Sequence, residues 1–372
     1  MEIHTTLENY IKPSTPTPSH LQTFKLSDQH RQFPDSPFNV TFFYHSNSPA
    51  ATNFSLQSKL LQHSLAQTLT TFYLFAGRFK NDDTIICNDH GALFIESKTD
   101  TNLSDLLAHP DLLAVIRDNL VPSYRNNGSL LLVKYISFGC GGTAVSISVS
   151  HKIADLASLV TLLLHWTALS GGAGAGASDH IPIYQPDFNL LGQTEPHPGP
   201  TIEVSSSSSP SPSPSQPSSS GYSLRPSRKF ISKRFVFSAS KIKQLKNQVV
   251  KELSKIENDH PLDILPSRVD VVVGLIFKSA MVSANVSRSR VGIVPSFRPS
   301  LLIQAANIRT RMNPPLPESV IGNLTMLLPV TVEKESDMEL HELVNKLLAG
   351  KIHANKLGKK FHGYDDDTRK VA

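Results

Sequence analysis

One histidine and one aspartate, His151 and Asp155, stand in the order His-x-x-x-Asp directly after a predicted buried strand. The strand covers residues 144–150, where Val145, Ile147 and Val149 alternate with small or hydroxylated residues. One of its faces is therefore apolar, and the same alternation directs His151 toward the interior. An imidazole delivered from a strand end into an apolar region is a candidate general base, because an ordinary histidine titrates close to neutral pH.

Other interpretations of the two residues remain open at this point. The chain has 15 histidines, and most are expected to be surface or structural residues. Asp155 stands where the N-cap of the following apolar helix belongs, so helix capping is the alternative to a catalytic role. No third cysteine, histidine or carboxylate stands at ligand spacing nearby, and no metal site is predicted.

Composition restricts the class of protein. The chain has 372 residues, of which 39% are hydrophobic and 18% charged, which is typical of a globular protein with two domains. The net charge is +5, but the basic residues do not form a stripe along the sequence, so no nucleic-acid partner is predicted. No apolar run approaches the ~20 residues of a membrane helix, and no secretory signal is predicted. With two cysteines, Cys87 and Cys140, the sequence favours a reducing, cytoplasmic location without a membrane partner.

A change of composition divides the chain. Residues 205–220 read SSSSSPSPSPSQPSSS, which cannot bury apolar surface. We therefore predict an N-terminal domain over 1–177, a flexible Ser/Pro-rich crossover linker over 178–230, and a C-terminal domain over 231–372. A disordered insertion within one domain is the alternative.

Local patterns predict the elements around the motif. The helix after Asp155 is expected to bury Leu156, Leu159, Val160, Leu163 and Leu164, and a helix over 54–75 to bury Leu56, Leu60, Leu61, Leu65 and Leu69. The turn residues 88–91 predict a hairpin between two short strands within 84–94. Further strands are predicted over 233–237, 292–297, 301–306 and 320–332, the last with a bulge or turn at Gly322 and Asn323.

Several other segments, taken in order with the first, carry a resemblance to a known family. They are FGCGGTA at 138–144, SHKIAD at 150–155, FYLFAGR at 72–78, CNDHGA at 87–92, RFVF at 234–237, SRVD at 267–270, NIRTRMNPPLP at 307–317 and Gly322-Asn323. In this order they resemble the plant BAHD acyltransferases over nearly the whole chain, and most of all the alkaloid O-acetyltransferase branch. The resemblance implies an α/β protein of two-domain chloramphenicol acetyltransferase-like architecture, each domain a mixed sheet flanked by helices.

The resemblance also implies a chemistry and roles for residues. His151 would be the general base of an acyl-CoA-dependent O-acyltransferase, with acetyl-CoA as the favoured donor and no acyl-enzyme. The acceptor would be a hydroxyl of an alkaloid or another plant specialised metabolite, and an amine would use the same machinery. Asp155 would turn away from His151 and pair with Arg309 as structural support of the catalytic loop, and Asn307 matches a possible channel residue. The acyl-CoA would be a co-substrate rather than a bound cofactor, and the protein a monomer.

The chain also departs from the family pattern. It has no Asp-Phe-Gly-Trp-Gly segment, its single tryptophan is Trp166, and it ends at Ala372, so the second domain is expected to be truncated. The alternative function is therefore an inactive remnant that at most binds CoA or a partner. Other His-x-x-x-Asp acyltransferases, such as chloramphenicol acetyltransferase itself or condensation domains, are a third reading, which the block at 307–317 argues against.

Overall fold

A five-stranded mixed sheet dominates the first half of the computed structural model, which describes residues 1–27, 30, 33–46, 54–123, 128–172, 180–184, 233–256, 265–289 and 297–359. The sheet has the order β1 (His4–Ile11), β6 (Ala92–Thr99), β7 (Leu131–Phe138), β8 (Thr143–Ser150) and β3 (Pro37–Tyr44). Only β6 and β7 run parallel, and the other neighbours are antiparallel. Helices cover both faces: α1 (Phe54–Thr71) and α4 (Leu156–Ser170) lie over one, and the short α2 (Leu103–Leu107) and α3 (Leu112–Val115) over the other.

Strand β8 has the predicted alternation. Val145, Ile147 and Val149 point into the main core, where they are buried beside α1 and α4. Ser146, Ser148 and Ser150 face the other side of the sheet and are buried as well. The alternation therefore brings the chain to His151 at the end of a strand that is covered on both faces.

The predicted buried stripe of α4 was wrong in part. Leu156, Val160 and Leu164 are exposed, whereas Ser158 and Thr161 are buried. The two hydroxyls turn inward because they meet backbone groups of the second half of the chain: Ser158 accepts from the Gly322 amide at 3.0 Å, and the Thr161 hydroxyl lies 3.3 Å from the Glu318 carbonyl. Leu56 and Leu60 of α1 are likewise exposed, against the prediction.

Trp166 joins the two long helices of the first half, α1 and α4. Its indole is 3% exposed and belongs to the main core. The Nε1 atom donates to Ser64 Oγ at 3.0 Å and to the Leu61 carbonyl at 3.3 Å, both in α1. The only tryptophan of the sequence is thus fixed by contacts between α1 and α4.

The predicted hairpin within 84–94 was also wrong. Strand β5 (Thr84–Ile86) pairs with β2 (Thr23–Lys25) and β4 (Arg78–Phe79) in a separate sheet, while β6 pairs with β1 and β7. The intervening turn is held from outside, since Asp89 accepts from the Thr17 amide at 2.8 Å and the Thr17 hydroxyl at 2.6 Å. Turn chemistry therefore indicated the turn correctly but not the partners of the strands.

The second half contains a smaller sheet with helices packed on it. Strands β10 (Ser300–Asn307) and β12 (Thr325–Val332) pair antiparallel, and α5 (Ala239–Ile256), α6 (Arg268–Ser289) and α7 (Leu340–Gly358) bury Val271, Val332, Leu343 and Val344 between them. The single strand predicted over 320–332 is two, β11 (Val320–Ile321) and β12, separated by Gly322, Asn323 and Leu324. The strand predicted over 233–237 is not one: Phe235 and Val236 are exposed and unpaired by strand hydrogen bonds. The prediction for 292–297 lies outside the described residues except for Phe297.

A short strand within the predicted linker connects the two halves. β9 (Ile183–Tyr184) pairs in parallel with β11, with Val320 opposite Ile183. Most of the remaining predicted linker lies outside the described residues. The architecture is a mixed α/β fold in which each half has a sheet with flanking helices. In the described part of the chain, every helix is too short or too polar to traverse a lipid bilayer.

Candidate active site

His151 lies in the turn that follows β8, half-buried between aromatic side chains. Its backbone N–H donates to the Ser36 carbonyl at 2.8 Å. The Phe33 ring stacks on the imidazole with centroids 5.2 Å apart and planes 9° apart, and the Phe38 ring lies 5.0 Å away at 59°. Both phenylalanines come from the segment that leads into and begins β3. The imidazole is therefore held in an apolar slot, with one edge free to meet a polar group.

That polar group is Asn323, which comes from the turn between β11 and β12. Its side-chain oxygen lies 3.1 Å from His151 Nδ1, and its side-chain amide donates to the His151 carbonyl. The second bond orients the amide, so the atom facing Nδ1 is the oxygen. An amide oxygen only accepts hydrogen bonds, and Nδ1 must therefore carry the proton. The lone pair of the neutral imidazole is then on Nε2.

Asp155 does not face His151. Its carboxylate accepts from the Ser158 amide at 2.9 Å and from the Ser158 hydroxyl at 2.8 Å, so it is the N-cap of α4. It also accepts from Arg309 through two bonds, 2.7 Å from Nη1 to Oδ2 and 3.0 Å from Nη2 to Oδ1. Capping and pairing with Arg309 are thus simultaneous, because a carboxylate has enough lone pairs for both.

Arg309 is fully buried, and its guanidinium donates hydrogen bonds to backbone carbonyls as well as to Asp155. Nε and Nη2 donate to the Val320 carbonyl at 3.0 and 2.8 Å, and Nη2 also reaches the Gly322 carbonyl at 3.1 Å. The guanidinium therefore fixes Asp155, at the start of α4, against the segment that carries Asn323. A buried charge needs this degree of pairing, since an unpaired one would cost several kcal/mol of desolvation.

Asn307, at the end of β10, belongs to the surroundings of Arg309. Its side-chain oxygen accepts from the Arg309 amide at 3.0 Å and from Nη1 at 3.2 Å, and its carbonyl accepts from Arg311. Its predicted place beside a substrate channel stays a prediction. The described geometry gives it a contact with the arginine that orients Asp155.

The structure brings His151, Asp155, Arg309 and Asn307 into one region, and it adds residues that the sequence did not single out. The sequence predicts only a bulge or turn at Asn323, and the family resemblance, which includes Gly322-Asn323, assigns it no role. Phe33 and Phe38 gave no signal, because aromatic residues near a strand are usually core. Within the described ranges, no group of three His, Cys, Asp or Glu side chains gathers at metal-binding distances.

Known proteins share this sequence and fold. The profile of the Transferase family matches residues 1–361. Stemmadenine O-acetyltransferase of Catharanthus roseus is 31% identical over 337 residues, covering 89% of this chain and 71% of that protein. Vinorine synthase of Rauvolfia serpentina is 32% identical over 348 residues, covering 91% of this chain and 73% of that protein.

Solved structures agree with the sequence matches. The crystal structure of vinorine synthase superposes with a TM-score of 0.70 at 29% identity and covers 100% of this chain and 78% of that one. F. sporotrichioides TRI101, complexed with coenzyme A and T-2, has a TM-score of 0.57 at 14% identity over 90% of this chain and 76% of its own, and this shows a shared fold alone. The mixed α/β architecture is thus the two-domain fold of vinorine synthase, and the chain belongs to the Transferase family, the BAHD acyltransferases.

Proposed function

We propose that this acyltransferase moves an acyl group from acyl-CoA to a hydroxyl of a small plant metabolite, with His151 as general base. The observation that carries the proposal is the contact between His151 and Asn323. Because Asn323 holds the proton on Nδ1, the Nε2 lone pair is available to accept another. The stacked Phe33 ring and the tilted Phe38 ring keep the imidazole in that orientation.

The reaction then follows without a covalent enzyme intermediate. Nε2 takes the proton of the acceptor hydroxyl as its oxygen attacks the thioester carbonyl. The tetrahedral oxyanion collapses with cleavage of the C–S bond, and the departing CoA sulfur recovers the proton from His151. An amine acceptor would use the same sequence of proton transfers.

Asp155 supports this reaction indirectly, without contacting His151. Its carboxylate is fully engaged by Ser158, Arg309 and the Leu324 amide, the last at 3.2 Å. It therefore anchors the turn beside Asn323 rather than polarising His151. In this proposal Asp155 and Arg309 act as structural support.

The acyl donor and acceptor class are inferred from relatives. Stemmadenine O-acetyltransferase is by name an acetyl transferase that acts on an oxygen of an alkaloid-type substrate. We infer acetyl-CoA as donor and an alkaloid alcohol as acceptor for this chain. The two predicted domains, the monomeric state and the cytoplasmic location stay predictions; the free thiols of Cys87 and Cys140 support a reducing compartment.

The test is acetyl transfer by the purified chain. It is offered acetyl-CoA and a panel of alkaloid alcohols, and release of free thiol is followed. His151→Ala is compared with His90→Ala, which removes an exposed imidazole from the turn before β6. We expect turnover by the wild type and His90→Ala and none above background by folded His151→Ala.

Two outcomes would count against the proposal. Substantial transfer by His151→Ala would remove that residue from the base role. Absence of turnover from the folded wild type with every acceptor, together with measurable CoA binding, would favour the alternative of a chain that binds CoA without transferring its acyl group.

A further inference from the structure

A second histidine lies buried behind the turn that carries Asn323, and the proposed mechanism does not use it. His30 is 4% exposed, and Ser27 Oγ lies 2.7 Å from its Nδ1. The Phe24 ring meets it edge-on, with centroids 6.4 Å apart and planes at 84°. Burial lowers the pKa of His30 to about 4, against a smaller opposing effect of the Asp155 charge. The ring is therefore neutral at pH 7 and fixed on two sides.

The opposite edge of the His30 ring closes against Gly322. A methyl group built on Gly322 would lie 2.9 Å from Nε2 and 3.3 Å from Cε1 of the imidazole. Gly322 also has a φ of 144°, a conformation that residues with side chains rarely adopt. The imidazole thus fills the space beside the Gly322 backbone and prevents that peptide from moving toward it.

Movement of Gly322 would be transmitted to the catalytic imidazole because Asn323 is the next residue. Asn323 contacts His151 through its side-chain oxygen and its side-chain amide. Both bonds depend on the direction in which the turn presents the side chain. On its other side, Gly322 is fixed by Ser158, whose hydroxyl accepts from the Gly322 amide at 3.0 Å while its own proton goes to the Asp155 carboxylate.

The backbone of His30 reaches His151 by a second route. Its carbonyl accepts from the amide of Phe33 at 3.1 Å, and the Phe33 ring is the one that stacks on the imidazole of His151. Substitution of the His30 side chain leaves this backbone bond available. The two routes can therefore be separated by changing the ring alone.

We propose that His30 is a positioning residue for acyl transfer, whose neutral imidazole holds the Gly322–Asn323 turn so that Asn323 keeps His151 protonated on Nδ1. This rests on the proposed function, in which Nε2 of His151 is the base. His30 touches no reacting atom in this account. Its effect passes through Gly322 and Asn323.

Two substitutions of His30 test separately the contact of its Nδ1 edge with Ser27 and the contact of its Nε2 edge with Gly322. In His30→Asn the amide group reaches the position of Nδ1 and can keep the bond to Ser27, but nothing reaches Gly322. In His30→Gln the longer side chain places its amide near the position of Nε2, against Gly322, and gives up the Ser27 bond. The pair therefore tests which edge of the ring matters.

The first readout does not require activity. Selective ¹⁵N labelling of histidine and long-range ¹H–¹⁵N correlation spectra report which ring nitrogen of His151 is protonated, with the signal assigned by its loss in His151→Ala. We expect Nδ1–H in the wild type and in His30→Gln, and a shift toward Nε2–H in His30→Asn. If His30→Asn does not fold, Ser27→Ala takes its place, because the ring then loses the hydroxyl that orients it, and a partial shift is expected.

The second readout is the kinetics of acetyl transfer from acetyl-CoA. We expect kcat to fall about tenfold in His30→Asn with KM for acetyl-CoA unchanged, since a small misplacement of a catalytic group lowers the rate rather than binding. His30→Gln should keep most of the wild-type kcat. If the wild type shows no turnover, the proposed function fails, and the NMR comparison still decides the role of His30.

Three results would overturn the proposal. The first is that folded His30→Asn keeps the wild-type tautomer of His151. If His30→Asn does not fold, the same result in Ser27→Ala counts instead. Another is an equal shift in His30→Asn and His30→Gln, which would mean that contact with Gly322 is not what holds the turn. The third is a fall in kcat that follows the loss of thermal stability in both variants alike, as expected of a residue that only stabilises the fold.

Discussion

The guanidinium of Arg309 and the carboxylate of Asp155 meet through two hydrogen bonds of 2.7 and 3.0 Å, with Arg309 completely buried and Asp155 5% exposed. The pair joins the N-terminus of α4 to the segment between β10 and β12. Because Arg309 also binds the carbonyls of Val320 and Gly322, the same guanidinium fixes the turn that presents Asn323 to His151. Stability and catalytic geometry therefore depend on one buried contact.

Arg309→Lys should destabilise the protein although the charge is kept. A lysine cannot form the two-pronged contact with Asp155 or replace the bonds to Val320, so a buried carboxylate loses part of its pairing. We expect the free energy of unfolding to fall by about 2–4 kcal/mol, measured by urea denaturation followed by far-UV circular dichroism. Arg117→Lys is the control, because Arg117 is exposed and bonds the exposed Asp118 at 2.7 Å; equal losses in both variants would contradict the assignment.

Asp155→Asn should lower stability and activity together. The neutral amide can cap α4 through its oxygen, but it cannot balance the charge of Arg309, which then stays buried without a counter-ion. We expect less folded protein and a lower free energy of unfolding, with a parallel loss of acetyl transfer. A variant as stable as the wild type that has selectively lost the chemistry would instead make Asp155 catalytic.

Asn323→Ala should lower kcat with little change in KM. Without the amide oxygen, Nδ1 has no acceptor, and the imidazole is free to adopt the tautomer with its proton on Nε2, where it cannot act as a base. We expect a loss of about 10- to 100-fold in kcat for acetyl transfer. Asn323→Asp keeps an acceptor for Nδ1 and should recover part of the rate; wild-type kcat in Asn323→Ala would exclude the role.

His30 should make stability depend on pH below neutrality. Burial holds the pKa of His30 in the folded protein at about 4, whereas an ordinary histidine has a pKa of 6.5, so between these values the unfolded chain binds more protons. The free energy of unfolding therefore rises with pH in this window, and the contribution is lost as the pH falls from 6.5 toward 4, by about 3 kcal/mol in all.

The measurement compares the wild type with His30→Gln at pH 7 and at pH 4.5. Carboxylates that titrate in this range are common to both proteins, so the difference between them isolates the histidine. The wild type should lose more stability on acidification than the variant. Identical losses would mean that His30 is solvated or already paired as a cation.

Much of the fold was predictable because the local signals were strong. The alternation of β8 and the His-x-x-x-Asp spacing identified the strand end, and the order of the motifs indicated a two-domain α/β fold that the vinorine synthase structure shares. Local sequence patterns gave wrong predictions of burial where contacts with residues distant in the sequence determine which side chains are buried. Ser158 and Thr161 look like surface residues of a helix, yet they are buried because their hydroxyls bond to backbone groups of Gly322 and Glu318, more than 150 residues later.

The same reason explains which site residues the sequence missed. Spacing singled out His151 and Asp155, and the family resemblance added Arg309 and Asn307; the structure places these side chains in one region, while their chemical roles stay predictions. His30 and Asn323 gave no such signal, since a lone buried histidine and a turn asparagine are usually structural. Asn323 matters because it contacts His151, 172 residues away in the sequence, and His30 matters because its ring lies against Gly322. The periodicity of the sequence gives no information on such contacts.

The place of Trp166 has a practical consequence for spectroscopy. As the only tryptophan, fixed between α1 and α4 by Ser64 and Leu61, it gives an emission signal that reports the packing of the first half of the chain. A protein in which β10, β12 and their helices had come apart could keep native fluorescence while His151 had already lost Asn323. Tryptophan emission therefore reports the packing of α1 on α4, and it needs a second probe of the contact between His151 and Asn323 before it can stand for catalytic competence.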